Sequence, residues 1–359
     1  MNLKDLQNDW INEFSKPLII AGPCSAESEA QMMETAQRLK ESGAEVPVFR
    51  AGIWKPRTKP NGIEGVGVIG LNWLKKVKDE FGFKTATEVA NAHHVYAALE
   101  ADVDILWIGA RSTVNPFTVQ EIAVALKGTN KPVLVKNPVN PDLALWIGAL
   151  ERLLGQDVKN LGVIHRGFSS YQKTKYRNLP NWQIALDFKH QFPNIPMFVD
   201  PSHICGRRDL LSDVTQEAFN VGYEGAMIES HCNPDAAWSD AAQQITPEVL
   251  AEMLGNLQIR NSDISGFDEE MGKHRALISD IDFQLIELLS NRMKISEKIG
   301  ALKKENNIAI FQPDRWKVIA EYASARAEES GMGKDFIEKV FKAIHEESIE
   351  VQNNIMIDK

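Results

Sequence analysis

The chain has 359 residues, 43% hydrophobic and 25% charged, with a formal net charge of −9. This is the composition of a soluble globular protein long enough for one large domain and a smaller one, and its acidic balance argues against nucleic acid as a partner. No window approaches the run of about 18 apolar residues that a membrane helix requires. Three cysteines, an odd count, and a polar N-terminus without a leader's apolar core point to a reducing cytoplasm and away from a disulfide framework.

From Pro17 onward, short apolar runs recur roughly every 30 residues. In chain order they are PLIIAGPCS (17–25), PVFRAG (47–52), KTATEVA (84–90) and ILWIGAR (105–111), then PVLVKN (132–137), LGVIHRG (161–167), PMFVDPSH (196–203) and GAMIESH (225–231). Most are uninterrupted, as expected of parallel strands buried on both faces. Between them lie helical patterns such as EAQMMETAQRLKESG and VQEIAVALKGTN. Eight such units predict an α/β fold, a (β/α)8 TIM barrel. A doubly wound open sheet is the rival, but it has fewer strands and a Gly-rich first turn, which the sequence lacks.

Each strand signal ends in polar residues: Cys24, Arg50, Glu88, Arg111, Lys136, Arg166, Asp200 with His203, and Glu229 with His231. In a barrel these ends converge on the face that carries active sites. Arg50, Lys55, Arg57, Arg111, Lys136 and Arg166 form a cationic set suited to phosphate and carboxylate. A long loop after the second strand, RAGIWKPRTKPNGIEGVGVIG, supplies two of them. A second set, Cys24, His203, Glu229 and Asp240, has the mixed donors of a divalent transition-metal site. On residue type alone Cys24 stays open between ligand, nucleophile and small hydrophobe; only the half-disulfide is set aside. Cys205 and Cys232 read as passive.

The motifs GPCS, FRAGIWKPRT, IGARS, VLVKNP, IHRGF, DPSH followed by GRR, and IESH followed by SD resemble the DAHP synthase family over residues 15–255, in its shorter form. The resemblance implies condensation of phosphoenolpyruvate with erythrose 4-phosphate and a divalent metal ion, expected to be Mn²⁺, on Cys24, His203, Glu229 and Asp240. It further implies that Arg50, Lys55, Arg111, Lys136 and Arg166 bind phosphoenolpyruvate. Arg57, Thr58, Ser112 and Asp200 go to the aldose phosphate, and Lys55, Lys136 and His231 to catalysis. A related synthase makes an eight-carbon sugar acid; KPRT argues against it, since that branch carries an Asn-Arg pair there.

After Leu257 the composition turns helical. Residues 258–267 read as a linker between a barrel domain (1–257) and an all-α three-helix domain (268–359). From Met271 to Leu302 a stripe at steps of three and four runs Arg275, Ile278, Ile281, Leu285, Leu288, Arg292, Ile295, Ile299, Leu302. Unpaired seam arginines are costly, so they should meet an anion or an intramolecular acid. Arg275 and Arg292 lie seventeen residues apart, about 25 Å along one helix. Both cannot grip one small dicarboxylate, but antiparallel copies could bring them together, which predicts an intertwined homodimer or a higher homo-oligomer. Lys303 completes the cationic face. Two more helices begin near Pro313 and Lys334.

The layout LIxxIDxxLIxLLxxR, then Lys303, Arg315, Ser348 and Gln352, resembles the all-helical chorismate mutase family over residues 265–357. This implies rearrangement of chorismate to prephenate in a pocket of Arg292, Lys303, Arg315, Ser348, Gln352 and the partner chain's Arg275, with Arg292, Lys303 and Gln352 catalytic. Gln312 and Trp316 stand where many members carry acidic residues. The expectation is a bifunctional shikimate-pathway enzyme, with prephenate or chorismate as candidate regulators of the barrel. The rivals for the helical part are a non-catalytic effector-binding module and a dimerisation arm.

Overall fold

The computed structural model describes residues 2–54, 64–171, 173–260 and 268–357. The chain divides into two compact units, Met1–Ser262 and Asp263–Lys359. In the first, eight parallel strands close a barrel in sequence order. They are β1 (Leu18–Gly22), β2 (Val48–Arg50), β3 (Lys84–Val89), β4 (Ile105–Ile108), β5 (Val133–Lys136), β6 (Leu161–His165), β7 (Met197–Val199) and β8 (Gly225–Glu229). Each coincides with one of the eight apolar runs. The ring closes where β1 pairs with β8, from Leu18 opposite Gly225 to Gly22 opposite Glu229.

The barrel helices are α1 (Glu29–Glu41), α2 (Ile69–Phe81), α3 (Ala92–Glu100), the one-turn α4 (Ala110–Thr113), α5 (Pro116–Leu126), α6 (Leu143–Leu154), α7 (Trp182–Gln191), the short α8 (Pro201–Cys205), α9 (Leu211–Asn220) and α10 (Pro247–Asn256). Several start on a side-chain cap that meets an otherwise unpaired backbone N–H: Ser28, Asn91, Asp142 and Thr246 accept from the residue three positions on. The strands bury both faces. Outward side chains such as Phe49, Leu106 and Val163 pack under the helices, while Ile20, Leu134 and Phe198 fill the interior.

One end of the barrel is plugged. Trp10 stacks on Phe198 with centroids 6.3 Å apart and donates its indole N–H to the Leu161 carbonyl at the start of β6. The Asn8 side chain accepts from the Leu161 N–H at 2.8 Å. Polar strand ends are therefore left to the opposite, C-terminal mouth.

The second unit consists of α11 (Asp268–Glu305), α12 (Pro313–Ser330) and α13 (Lys334–Ile357). α11 is one helix of 38 residues. α13 packs against both α11 and α12. Among the described residues, the buried cluster of this unit is small: Ala323, Ala327 and Ile337, with Phe341 against them.

Candidate active sites

At the barrel mouth the metal candidates come from three loops. Cys24 lies two residues past β1. The strand can end there because Gly22 adopts a φ of 147°, and an added Cβ would sit 2.2 Å from the Arg50 carbonyl oxygen. Glu229 ends β8, and Asp240 follows in its loop with a left-handed φ of 51°. One donor atom from each of Cys24, Glu229 and Asp240 lies within 4.8 Å of the others.

His203 sits on α8, whose sequence Asp-Pro-Ser-His is a helix start: Asp200 caps it, Pro201 is its first residue, and the Asp200 carboxylate accepts from the His203 N–H at 3.1 Å. The same carboxylate takes His203 Nδ1 at 2.8 Å, and Nε2 lies 3.8 Å from Glu229 Oε1. Because a carboxylate only accepts, the proton belongs on Nδ1 and the Nε2 lone pair faces the acidic cluster. Burial pushes the His203 pKa down, against the opposing pull of Asp200 and Glu229.

The outer atoms of these groups are anchored. Ser239 Oγ donates to Cys24 Sγ at 3.1 Å, and Cys24 Sγ is 3.4 Å from Asp240 Oδ2. Arg177 Nη1 holds Asp240 Oδ1 at 3.0 Å, and Gln243 Nε2 holds Glu229 Oε2 at 2.7 Å. Gln244 accepts from the Cys24 N–H at 2.9 Å. The thiol and two carboxylates that meet here, with His203 outside that group but its Nε2 3.8 Å from Glu229 Oε1, are donors suited to a divalent transition ion. The strand-end pattern does not reach Arg177, Gln243 and Gln244; the two glutamines follow Asp240 closely in SDAAQQ, the one signal in the sequence that points to them.

The cations adjoin this cluster. Arg50 Nη1 pairs with Glu229 Oε1 at 3.1 Å and Lys136 Nζ with Asp200 Oδ2 at 2.7 Å, all four side chains buried. Asp200 thus links Lys136 to His203. Burial alone would raise its pKa, but His203 and Lys136 hold it well below the usual carboxylate range. Arg166 follows β6, and its N–H is fixed by Asn137 Oδ1 at 2.7 Å. Burial, with Arg177 and Arg111 adding repulsion against Asp200 and Asp240, lowers the Arg166 pKa to about 10. It remains charged, in a place that rewards an arriving anion.

Arg111 is exposed and Ser112 buried; both ride on α4, beyond the end of β4. His231, just past β8, takes the Asn233 N–H on Nδ1 at 2.8 Å and faces Glu27 with Nε2 at 3.4 Å. Burial opposes a charge on this ring, but contacts with Cys232 and Glu27 outweigh it and raise the His231 pKa to about 9. Lys55, Arg57 and Thr58 lie outside the described residues. No disulfide joins the three cysteines; Cys205 is buried, its thiol pushed up to about 12 by desolvation.

In the helical unit, Arg292 on α11 donates to Ser348 Oγ on α13. Lys303 Nζ reaches Gln352 Oε1 at 3.0 Å and the Ile310 carbonyl at 2.6 Å. Burial and the neighbouring Arg315 lower the Arg292 pKa. Arg275 is exposed on the same helix and is not brought to this group within one chain. Trp316 stacks on His345 with centroids 4.4 Å apart, so the aromatic ring at this position has a partner on α13. Gln312 is exposed.

The model of the DAHP synthetase I family matches residues 7–264, and that of chorismate mutase type II matches residues 274–353. The chain is 33% identical over 240 residues to phospho-2-dehydro-3-deoxyheptonate aldolase of Thermotoga maritima, covering 67% of this chain and 68% of that one. It is 28% identical to 2-dehydro-3-deoxyphosphooctonate aldolase of Wolinella succinogenes over 264 residues, 67% of this chain and 97% of the relative. The crystal structure of the Thermotoga maritima DAHP synthase superposes with a TM-score of 0.60 at 30% identity, covering 71% of this chain and 70% of that one. A truncated form of that species' enzyme gives 0.58 at 29% identity, over 71% and 87%. No helix among the described residues is long and apolar enough to cross a membrane.

Proposed function

The chain belongs to the DAHP synthetase I family and carries a type II chorismate mutase unit after its barrel; on that premise we propose that the mouth condenses phosphoenolpyruvate with erythrose 4-phosphate and that the helical unit turns chorismate into prephenate. The observation that carries the barrel reading is the Cys24, Glu229 and Asp240 donor cluster beside Arg50, Lys136 and Arg166.

Both barrel substrates are anions and repel each other in water. Arg50, Arg111, Lys136 and Arg166, with Lys55, take the phosphate and carboxylate of phosphoenolpyruvate; Arg57, Thr58 and Ser112 take the aldose phosphate. Charge neutralisation and orientation together lower the barrier to C–C bonding. Asp200 keeps Lys136 aimed by its 2.7 Å contact, and water then adds at the former enol carbon while phosphate leaves with C–O cleavage. His231 stands as a substrate or supporting contact. Cys24, His203, Glu229 and Asp240 would hold a divalent ion, Mn²⁺ in this reading, which supplies Lewis-acid polarisation of the aldehyde. Cys24 is then a ligand and not a nucleophile.

The mutase reaction is unimolecular and needs only a preorganised cationic cage. Arg292, Lys303, Arg315, Ser348 and Gln352 provide most of it, and the partner's Arg275 would complete it in a homodimer. Covalent fusion supports regulation of the barrel by prephenate or chorismate.

The test is phosphate release from phosphoenolpyruvate with a panel of aldose phosphates. A seven-carbon product requires a four-carbon acceptor and an eight-carbon product a five-carbon one, so the panel separates the readings suggested by the two sets of relatives. Erythrose 4-phosphate should be preferred by about tenfold or more. Preference for the five-carbon acceptor would overturn the assignment, and rates unchanged at saturating prephenate and chorismate would remove the regulatory part.

A further inference from the structure

Glu88 and Trp107 occupy the floor of the mouth, yet neither has a part in the chemistry above. Trp107, on β4, belongs to the barrel interior with Ile20, Leu134 and Phe198 and is completely buried. Its indole N–H donates to Glu88 Oε2 on β3 at 3.1 Å. The carboxylate fits because residue 109 is glycine: a Cβ there would lie 2.2 Å from Glu88 Oε1. Over the ring stand two cations. The Arg50 guanidinium carbon is 4.8 Å from the ring centroid and the Lys136 ammonium 5.8 Å.

An aromatic face attracts a cation through its quadrupole, most strongly where water is excluded. Arg50 and Lys136 are both buried, so the attraction is not screened. Acceptance of the indole N–H by Glu88 pushes electron density toward the ring and strengthens it further. The ring differs from a carboxylate in one respect that matters here. It holds two like charges close together without adding a negative charge of its own. Glu229 and Asp200 already balance these two cations; a third carboxylate in place of the ring would leave the group net negative and repel an anion. Arg50 Nε is buried and has no hydrogen-bond partner among the described residues, which leaves a donor for a ligand to satisfy.

We propose that Trp107 is a positioning residue of the barrel's anion site: its face sets the spacing of Arg50 and Lys136, and Glu88 fixes the ring through Nε1. The inference rests on the reading that these two cations bind phosphoenolpyruvate.

The test uses the full-length protein with Trp107→Leu, which removes the face, and Trp107→Phe, which keeps a smaller one and loses the N–H. Trp107→Leu should raise the KM for phosphoenolpyruvate by about tenfold or more, with the KM for the aldose phosphate within about twofold. Trp107→Phe should recover most of the loss. Mutase activity of the same samples and their thermal unfolding report whether the chain is folded, and Trp107→Met replaces Leu if that variant does not fold. Equal phosphoenolpyruvate KM values in wild type, Phe and Leu (or Met) variants would overturn the inference. So would a common rise of both KM values, the mark of packing damage. Wild-type protein that never saturates with phosphoenolpyruvate would instead overturn the functional reading beneath it.

Discussion

His165 is fully buried on β6, with Nε2 2.6 Å from the Pro180 carbonyl and Nδ1 2.9 Å from the Tyr223 hydroxyl. A carbonyl can only accept, so the proton sits on Nε2 and the ring is neutral. Burial lowers its pKa to about 4, against about 6.5 in an unfolded chain. Between those values the unfolded state binds a proton that the folded barrel refuses. The stability contribution is therefore intact above about pH 6.5 and is lost as the pH falls toward 4, by about 3 kcal/mol in all. His165→Gln, which retains a donor for Pro180, should show a fall in Tm over that range shallower than wild type by about 5 °C or more. An unchanged slope would contradict the assignment. Buried His203 titrates in the same direction, so the slope should flatten without vanishing. At this scale the sequence reading reached residues that end strands, because a barrel sends every strand end to one face. It did not reach Arg177, which comes from a loop with no apolar frame, although its side chain meets Asp240 at 3.0 Å.

Secondary-structure elements were legible in proportion to how strongly they are buried. The eight strands are continuous apolar runs because helices cover them outside and side chains fill them inside. Short elements carry no such period: α4 and α8 have 4 and 5 residues, and α8 is set by the Asp200 cap. α11 is the opposite case. Its period is clear, but Ile278, Leu285, Leu288 and Ile295 are each more than half exposed in a single chain. Burying a side chain of this kind contributes about 1.5–3 kcal/mol, and a helix with such a face left open is incomplete. A second copy laid antiparallel would cover the face and bring its Arg275 to Arg292. Leu288→Asp should therefore convert a dimer to monomer in sedimentation and cut mutase turnover by about tenfold or more, while phosphate release by the barrel persists. A monomeric wild type, or a monomeric variant with full turnover, would contradict this.

At the scale of the whole molecule, the shift from strand-and-helix alternation to uninterrupted helix near Leu257 anticipates two units, and the contacts within the chain separate at Ser262. The apolar stripe of α11 states only that a partner is needed; it is the seventeen-residue spacing of Arg275 and Arg292 that points to a second copy. On the proposed reading the two units share one chemical idea, a cationic site for small anions, in different form. The helical unit gathers its charges from facing helices. The barrel gathers them from strand ends and adds the acidic and thiol cluster, on which its activity is argued to depend. The most direct test is to titrate chelator-stripped protein with Mn²⁺ while following phosphate release from phosphoenolpyruvate and erythrose 4-phosphate. One ion per chain should bind as activity returns, and Cys24→Ala should lose both together. Full activity in the stripped protein, or undiminished Mn²⁺ binding by the Cys24 variant, would contradict the account.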